Sequence, residues 1–126
     1  MNGQPLPITG DGSETRDWTY VMDIVNGLLA MGVKDKAIGQ AINLGSGKEH
    51  KVVDMARKVN ELAGNKAGIK FVERRDWDVK KRLCSSIGRA QDVLDYRPAV
   101  SFEDGLKSVH SWFKSNWVEI QRSAEF

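Results

Sequence analysis

Apolar residues recur at helical spacing in four places along the chain and at strand-like spacing in shorter runs between them. Val21, Ile24, Val25, Leu28 and Leu29 lie three and four residues apart, which predicts a helix that begins within two residues of Met22, stops near Gly32 and buries this face. The clearest stripe is Val52, Met55, Ala56, Val59, Leu62 and Ala63, ended by Gly64. Its start is less well made, because Lys51 at the cap position sets a cation at the positive end of the helix dipole. Ile87, Ala90, Val93 and Leu94 predict a short helix capped by Ser86 and running to Asp95, ahead of Tyr96 and Pro98. Phe102, Leu106, Val109 and Phe113 mark the last stripe. Ser101 caps it, with Asp104 at the reciprocal position where Glu or Gln is usual.

The strand signals are shorter. Residues 1 to 9, MNGQPLPIT, carry two prolines and read as a loop leading into an edge strand. Gly10, Asp11 and Gly12 supply turn chemistry, and Arg16 to Tyr20 form a short extended segment. Ala41 to Leu44 is an apolar run closed by Gly-Ser-Gly, which predicts a buried strand with a tight turn after it; IKFV at 69 to 72 predicts another. No pattern follows Trp117, so 118–126 are expected to be a tail. The sum is one α/β domain over 1–126 with short strands and about four helices, lacking the dense βαβ repetition of a complete dinucleotide fold.

Length and charge narrow the function classes. A chain of 126 residues holds a real core but is small for an enzyme that binds both a dinucleotide and a substrate. A net charge of +2 among 36 charged side chains does not by itself indicate nucleic acid or an acidic membrane. Cys84 has no partner for an internal disulfide, no signal-like segment opens the chain, and no apolar run approaches the ~18 residues of a membrane span. The cytoplasm is the expected compartment, with no membrane partner.

Gly45-Ser-Gly-Lys48 suggests a phosphate loop only superficially: GxxxxGK[ST] would need Gly at 42 and Ser or Thr at 49, where Ile42 and Glu49 stand. No GxGxxG follows a strand either. His50 and His110 lack partners at metal-ligand spacing and are expected on exposed or helix-face positions. Cys84, beside Leu83, is expected to be a small buried side chain. Two stretches combine charge with aromatic residues, Arg16-Asp17-Trp18 and Arg74-Arg75-Asp76-Trp77-Asp78. A guanidinium fork grips phosphate oxygens and a carboxylate accepts from sugar hydroxyls, so these stretches suit a phosphorylated sugar. Surface ion pairs that bind nothing explain the same composition. Residues 66 to 82 hold seven Lys and Arg against three acids, but the interleaved acids weaken a nucleic-acid track.

GDGSETRDWTYVMDIVNGLLAM resembles the segment of extended short-chain dehydrogenases that reads roughly G-D-G-x-Q-x-R-D-F/Y-x-x-V-x-D, and INLGSGKEHKVVDMARKVNEL resembles the strand, turn and helix after it. RRDWDVKKRLCSSIGRAQDVLDYRPAVSFEDGLKSVHSWF is similar to the closing segment: an Arg-x-x-Asp element, a short helix ending in Leu-Gly-Tyr-x-Pro, and a helix opened by Ser-x-x-Asp/Glu-Gly. The resemblance covers about residues 5 to 117 and is nearest the UDP-glucose 4-epimerase type of nucleotide-sugar epimerases and dehydratases.

The resemblance implies the C-terminal, substrate-binding part of an extended short-chain dehydrogenase fold, without the N-terminal NAD-binding Rossmann region. It implies that Arg16 and Arg75 contact the nucleotide-sugar diphosphate, that Asp78 binds ribose hydroxyls, and that Trp18 lines the cleft or serves as a core aromatic. Asp17 and Asp23 are expected to orient Arg16 and cap the first helix. Neither Tyr20 nor Tyr96 is followed four residues on by Lys, so the family's Tyr-x-x-x-Lys pair is missing and no catalytic residue is assigned. Asp76-Trp77 replaces the small residues common inside Arg-x-x-Asp, and Asp95 stands where Gly often ends the short helix. The implied ligand is a UDP-sugar, with NAD held by the full-length family and not by this chain alone. A missing Rossmann half is one implied partner; self-association by dimerisation or segment exchange is the alternative, because strand edges and apolar faces would otherwise stay open.

Overall fold

A computed structural model describes residues 3–123. In chain order its first half contains β1 (Leu6–Thr9), β2 (Thr15–Arg16), α1 (Val21–Val33), a 3-10 turn at Asp35–Ala37, β3 (His50–Lys51) and α2 (Val52–Ala63). Then come β4 (Ile69–Val72), β5 (Arg82–Leu83), α3 (Gly88–Leu94), α4 (Phe102–Ser115) and α5 (Trp117–Ser123).

Two small sheets result. β1 runs parallel to β4, with Leu6 opposite Ile69 and Thr9 opposite Val72. β2 is central in the other sheet, antiparallel to β3 and parallel to β5. Thr15 and Arg82 face each other across β2 and β5, and both reach Glu49. Thr15 Oγ1 donates to Glu49 Oε2 at 2.8 Å, and Arg82 Nε pairs with the other oxygen. The Thr15 hydrogen bond, helped by Arg82, holds the Glu49 carboxyl below its usual range. These two-residue strands are thus tied by side chains as well as by the ladder.

Helix starts and stops follow the expected chemistry at three ends. α2 ends at Gly64, whose φ of 62° is the left-handed conformation that lets its amide reach back to the carbonyls of Asn60 and Glu61. Asp95 does the same for α3 at φ 55°, a conformation Asp tolerates. Ser101 caps α4, its Oγ accepting from Asp104 N at 3.1 Å and donating to Asp104 Oδ2 at 2.7 Å. α3 begins later than expected: Ile87, not Ser86, is its cap residue, and no side chain caps it. α1 is also uncapped by a side chain. Residues 117–123 are helical rather than a tail; residues 124–126 of the expected tail lie outside the described residues.

The largest departure is Ala41 to Leu44. This segment forms no strand, because among the described residues no strand lies beside it to share a ladder. Its side chains still pack: Ile42 and Leu44 join Ala30, Met31 and Val93 around a buried cluster of Ala37, Ala90, Leu94 and Tyr96. The second departure is α1, whose apolar residues go round the helix. Ile24 and Val25 are half-buried, whereas Val21, Leu28, Leu29 and Val33 are exposed, the last by 81%. One side meets the core and the other meets nothing in the described residues. No described helix is long and apolar enough to cross a membrane.

Gly27 sets the distance between α1 and that core. An added Cβ would lie 2.7 Å from both methyls of Leu44 and 3.1 Å from the Tyr96 ring. Gly27→Ala would gain up to ~1 kcal/mol of helix propensity but overpack the contact at a cost of ~1 to 3 kcal/mol. The expected outcome is a net loss of about 1 kcal/mol in urea denaturation, since Leu44 absorbs only part of the clash. A gain in stability would mean that α1 stands off the core.

Candidate functional site

The polar site is built where β2 meets the loop after β4. Residues 75 to 78 form a turn closed by Asp78 N donating to Arg75 O at 3.0 Å. The turn brings Asp78 to Arg16 of β2, with Arg16 Nη2 3.7 Å from Asp78 Oδ1 and each side chain about one quarter exposed. Arg16 Nη1 also donates to Thr15 O at 2.8 Å. Arg75 points elsewhere: its guanidinium carbon lies 5.1 Å from the ring centre of Trp77, which is 72% exposed. Arg16 borders a recess of about 500 Å³ with Asn43, Leu83 and Cys84, and Arg75 borders one of about 330 Å³ with Asp78 and Lys81. The structure therefore joins Arg16 to Asp78 directly and Arg75 to Asp78 through the turn.

Adjacent arginines do opposite things. Arg74 turns inward and pairs with Glu14, which is 4% exposed, and its Nη1 donates to Asp78 O at 3.3 Å. The pair fixes the end of β4 against the segment that leads into β2. Nothing in the spacing of Arg74 and Arg75 separates the two roles; Glu14, an acid between Ser13 and Thr15, gave no sequence signal of burial.

Asp17 organises the other wall. Its Oδ1 accepts from Ser46 N at 3.0 Å, Ser46 Oγ at 2.5 Å and Thr19 Oγ1 at 3.1 Å. Its Oδ2 accepts from Gly47 N at 3.0 Å and Ser85 N at 3.2 Å. Burial alone raises the carboxyl, but the bonds from Ser46, Gly47 and Ser85 outweigh it and hold the group below its ordinary value of 3.8. Successive amides of a glycine turn make an anion seat, and here the chain's own carboxylate fills it. Asp17 thus does not orient Arg16, as the sequence suggested; it clamps the Gly45–Gly47 turn to Ser85. Asp23 likewise does not cap α1. Its oxygens accept from Ala99 N at 3.0 Å and Val100 N at 3.1 Å, tying α1 to the approach of α4.

Trp18 packs away from Arg75 and Asp78. Its ring lies 5.7 Å from Phe102, which stacks on His50 at 4.3 Å, and it lines an apolar cavity of about 270 Å³ with Met55 and Leu106. His110 sits half-buried on α4, and among the described residues no cluster of His, Cys, Asp and Glu could hold a metal ion. Cys84, the residue after β5, is exposed, not buried as its neighbour Leu83 suggested, and Leu83 is itself exposed. Partial desolvation, with the Asp17 and Glu49 carboxylates nearby, raises the Cys84 thiol above the usual value.

Residues 1–109 match the family described as GDP-mannose 4,6 dehydratase. The epimerase Mth375 of Methanothermobacter thermautotrophicus superposes with a TM-score of 0.96 at 63% identity, over 99% of this chain and 37% of that one. UDP-glucuronic acid 4-epimerase from Bacillus cereus, in complex with UDP-glucuronic acid and NAD, superposes with a TM-score of 0.81 at 32% identity, over 90% of this chain and 36% of that one. UDP-glucuronic acid decarboxylase 1 of Xenopus tropicalis is 32% identical over the whole chain, which matches 29% of its length. The chain spans about a third of the length of these relatives. With its short-stranded α/β fold and a match over most of its residues, the chain belongs to the GDP-mannose 4,6 dehydratase family of NAD-dependent epimerases and dehydratases.

Proposed function

We propose that this chain is the nucleotide-sugar-binding portion of a UDP-sugar epimerase- or dehydratase-like protein, gripping the ligand's diphosphate and ribose and carrying out no turnover alone. The observation that carries the reading is the meeting of Arg16 and Asp78 at a strand-and-turn junction whose turn also carries Arg75. At 3.7 Å the Arg16–Asp78 pair is longer than a hydrogen bond. Arg16 Nη2 is therefore available to a diphosphate oxygen, with Nη1 held on Thr15 O, while Asp78 accepts from a sugar diol. Trp18, in this reading, serves as a core aromatic against Phe102 rather than as a wall of the cleft.

The filled glycine turn does not fit the pyrophosphate of NAD, because the Ser46 and Gly47 amides already donate to Asp17. Hydride chemistry is assigned to parts of such a protein beyond these residues. The exposed side of α1 and the unpaired Ala41–Leu44 segment support this, since a helix that is apolar all round calls for cover on both sides. Those same open surfaces favour a second reading, a chain that covers them with another copy of itself.

Calorimetric titration with UDP, UDP-glucose and UDP-N-acetylglucosamine tests both, with mass measured by light scattering in the same solutions. Saturable binding is expected, weakened about tenfold by Arg75→Ala, the loss of one charge-assisted contact. No binding by a dimer would favour self-association; turnover of a UDP-sugar with NAD by this chain would refute its inactivity alone.

A further inference from the structure

Three arginines lie in or beside the turn, and their donors are committed differently. Arg16 serves Thr15 O and faces Asp78, and Arg74 serves Glu14 and Asp78 O. Among the described residues, no side-chain hydrogen bond or ion pair occupies the Arg75 guanidinium; its partner is the face of Trp77. A guanidinium that stacks uses its face and keeps its five N–H groups at the edge, directed outward in a fixed fork. An unrestrained Arg would spread over many rotamers and lose that freedom on gripping an anion.

We propose that Trp77 is a positioning residue: by stacking under Arg75 it holds the guanidinium as a ready fork for the diphosphate of the ligand. The inference rests on the nucleotide-sugar reading above. It gives a task to a large, exposed indole in a position where the resembling motif has a small residue, and it makes Trp77 act through Arg75 and not on the ligand. Trp77 lies two residues from Arg75, within the turn closed by Asp78 N and Arg75 O, so ring and guanidinium are carried by the same four residues. The stack therefore moves with the site.

The test is a double-mutant cycle on the full chain, with UDP and inorganic pyrophosphate as titrants and side-chain NMR of the Arg75 Nε–H group in the ligand-free state. An exposed cation–π contact at this distance corresponds to a roughly two- to fivefold effect. Trp77→Leu is expected to weaken UDP binding by that factor and to remove the ring-current shift of the Arg75 resonance. Trp77→Phe should restore most of both, and Trp77→Leu should cost nothing further once Arg75→Ala is present. Equal losses from Trp77→Leu with and without Arg75 would overturn the proposal, as would a Phe variant no better than Leu, because the indole would then touch ligand or support the fold. Those results leave UDP binding by the unmodified chain intact and so spare the nucleotide-sugar reading. Failure of the unmodified chain to bind either titrant overturns both.

Discussion

Asp17→Asn is expected to destabilise the chain by about 3 kcal/mol, nearly as much as Asp17→Ala. Each carboxylate oxygen accepts from at least two donors, and bonds to a charged acceptor are worth ~1.5 to 3 kcal/mol. An Asn can accept on one side only. Its NH2 would face either the Gly47 and Ser85 amides or the Ser46 donors, leaving donors opposed to donors. Solvent reaches Gly47 and relieves part of the loss, which keeps the total below the sum of the bonds. The sign of the pH dependence follows from the lowered carboxyl. Asp17 contributes its full stability above the unfolded value near 3.8, and the contribution is lost as pH falls through the lower folded value. Urea midpoints measured from pH 5 to pH 2 should therefore fall more steeply for the unmodified chain than for Asp17→Asn. Parallel curves would mean that Asp17 does not carry the charge in the turn.

Removal of Arg74 should cost about 2 to 3 kcal/mol, below the ~3 to 5 kcal/mol for breaking a fully buried pair, because Arg74 itself is about one-third exposed. The cost arises at Glu14, a buried carboxylate left without its cation. Arg74→Met combined with Glu14→Gln should recover much of that loss, since the second change removes the stranded charge and keeps the shape. The resembling motif itself has Gln at this position. Guanidinium chloride would screen the pair, so urea is the denaturant to use. A double variant weaker than Arg74→Met alone would show that Glu14 has a partner other than Arg74.

The sequence made some of this legible and concealed the rest for physical reasons. α2 and α4 were readable because one face of each is apolar and a single residue, Gly64 or Ser101, ends or starts the backbone pattern locally. α1 was readable as a helix but not in its burial, because periodicity reports which residues want cover and not whether cover is present. Ala41–Leu44 misled for the same reason: its composition suits a strand, yet a strand exists only with a neighbour. β3 and β5, at two residues each, are too short to show alternation. At the site, Arg16, Arg75 and Asp78 stood out by residue type and motif. The work of Asp17, Glu14 and Arg74 did not, because each depends on partners far along the chain, with Asp17 meeting Ser85 68 positions away.

The pairing of strands also sets an order of events in time. Leu6 of β1 waits for Ile69, and Thr15 of β2 waits for Arg82, so neither parallel ladder can begin until most of the chain has been made. Closing loops of this length costs entropy before any ladder bond repays it, and such long-range parallel pairing is intrinsically slow. α2, held by contacts within a few residues, can form before Ile69 and Arg82 have been made, while β1 is still without its partner and β2 has only β3 beside it. The junction of Arg16 and Asp78 consequently takes shape after α2, once the chain has been made as far as the turn at 75–78.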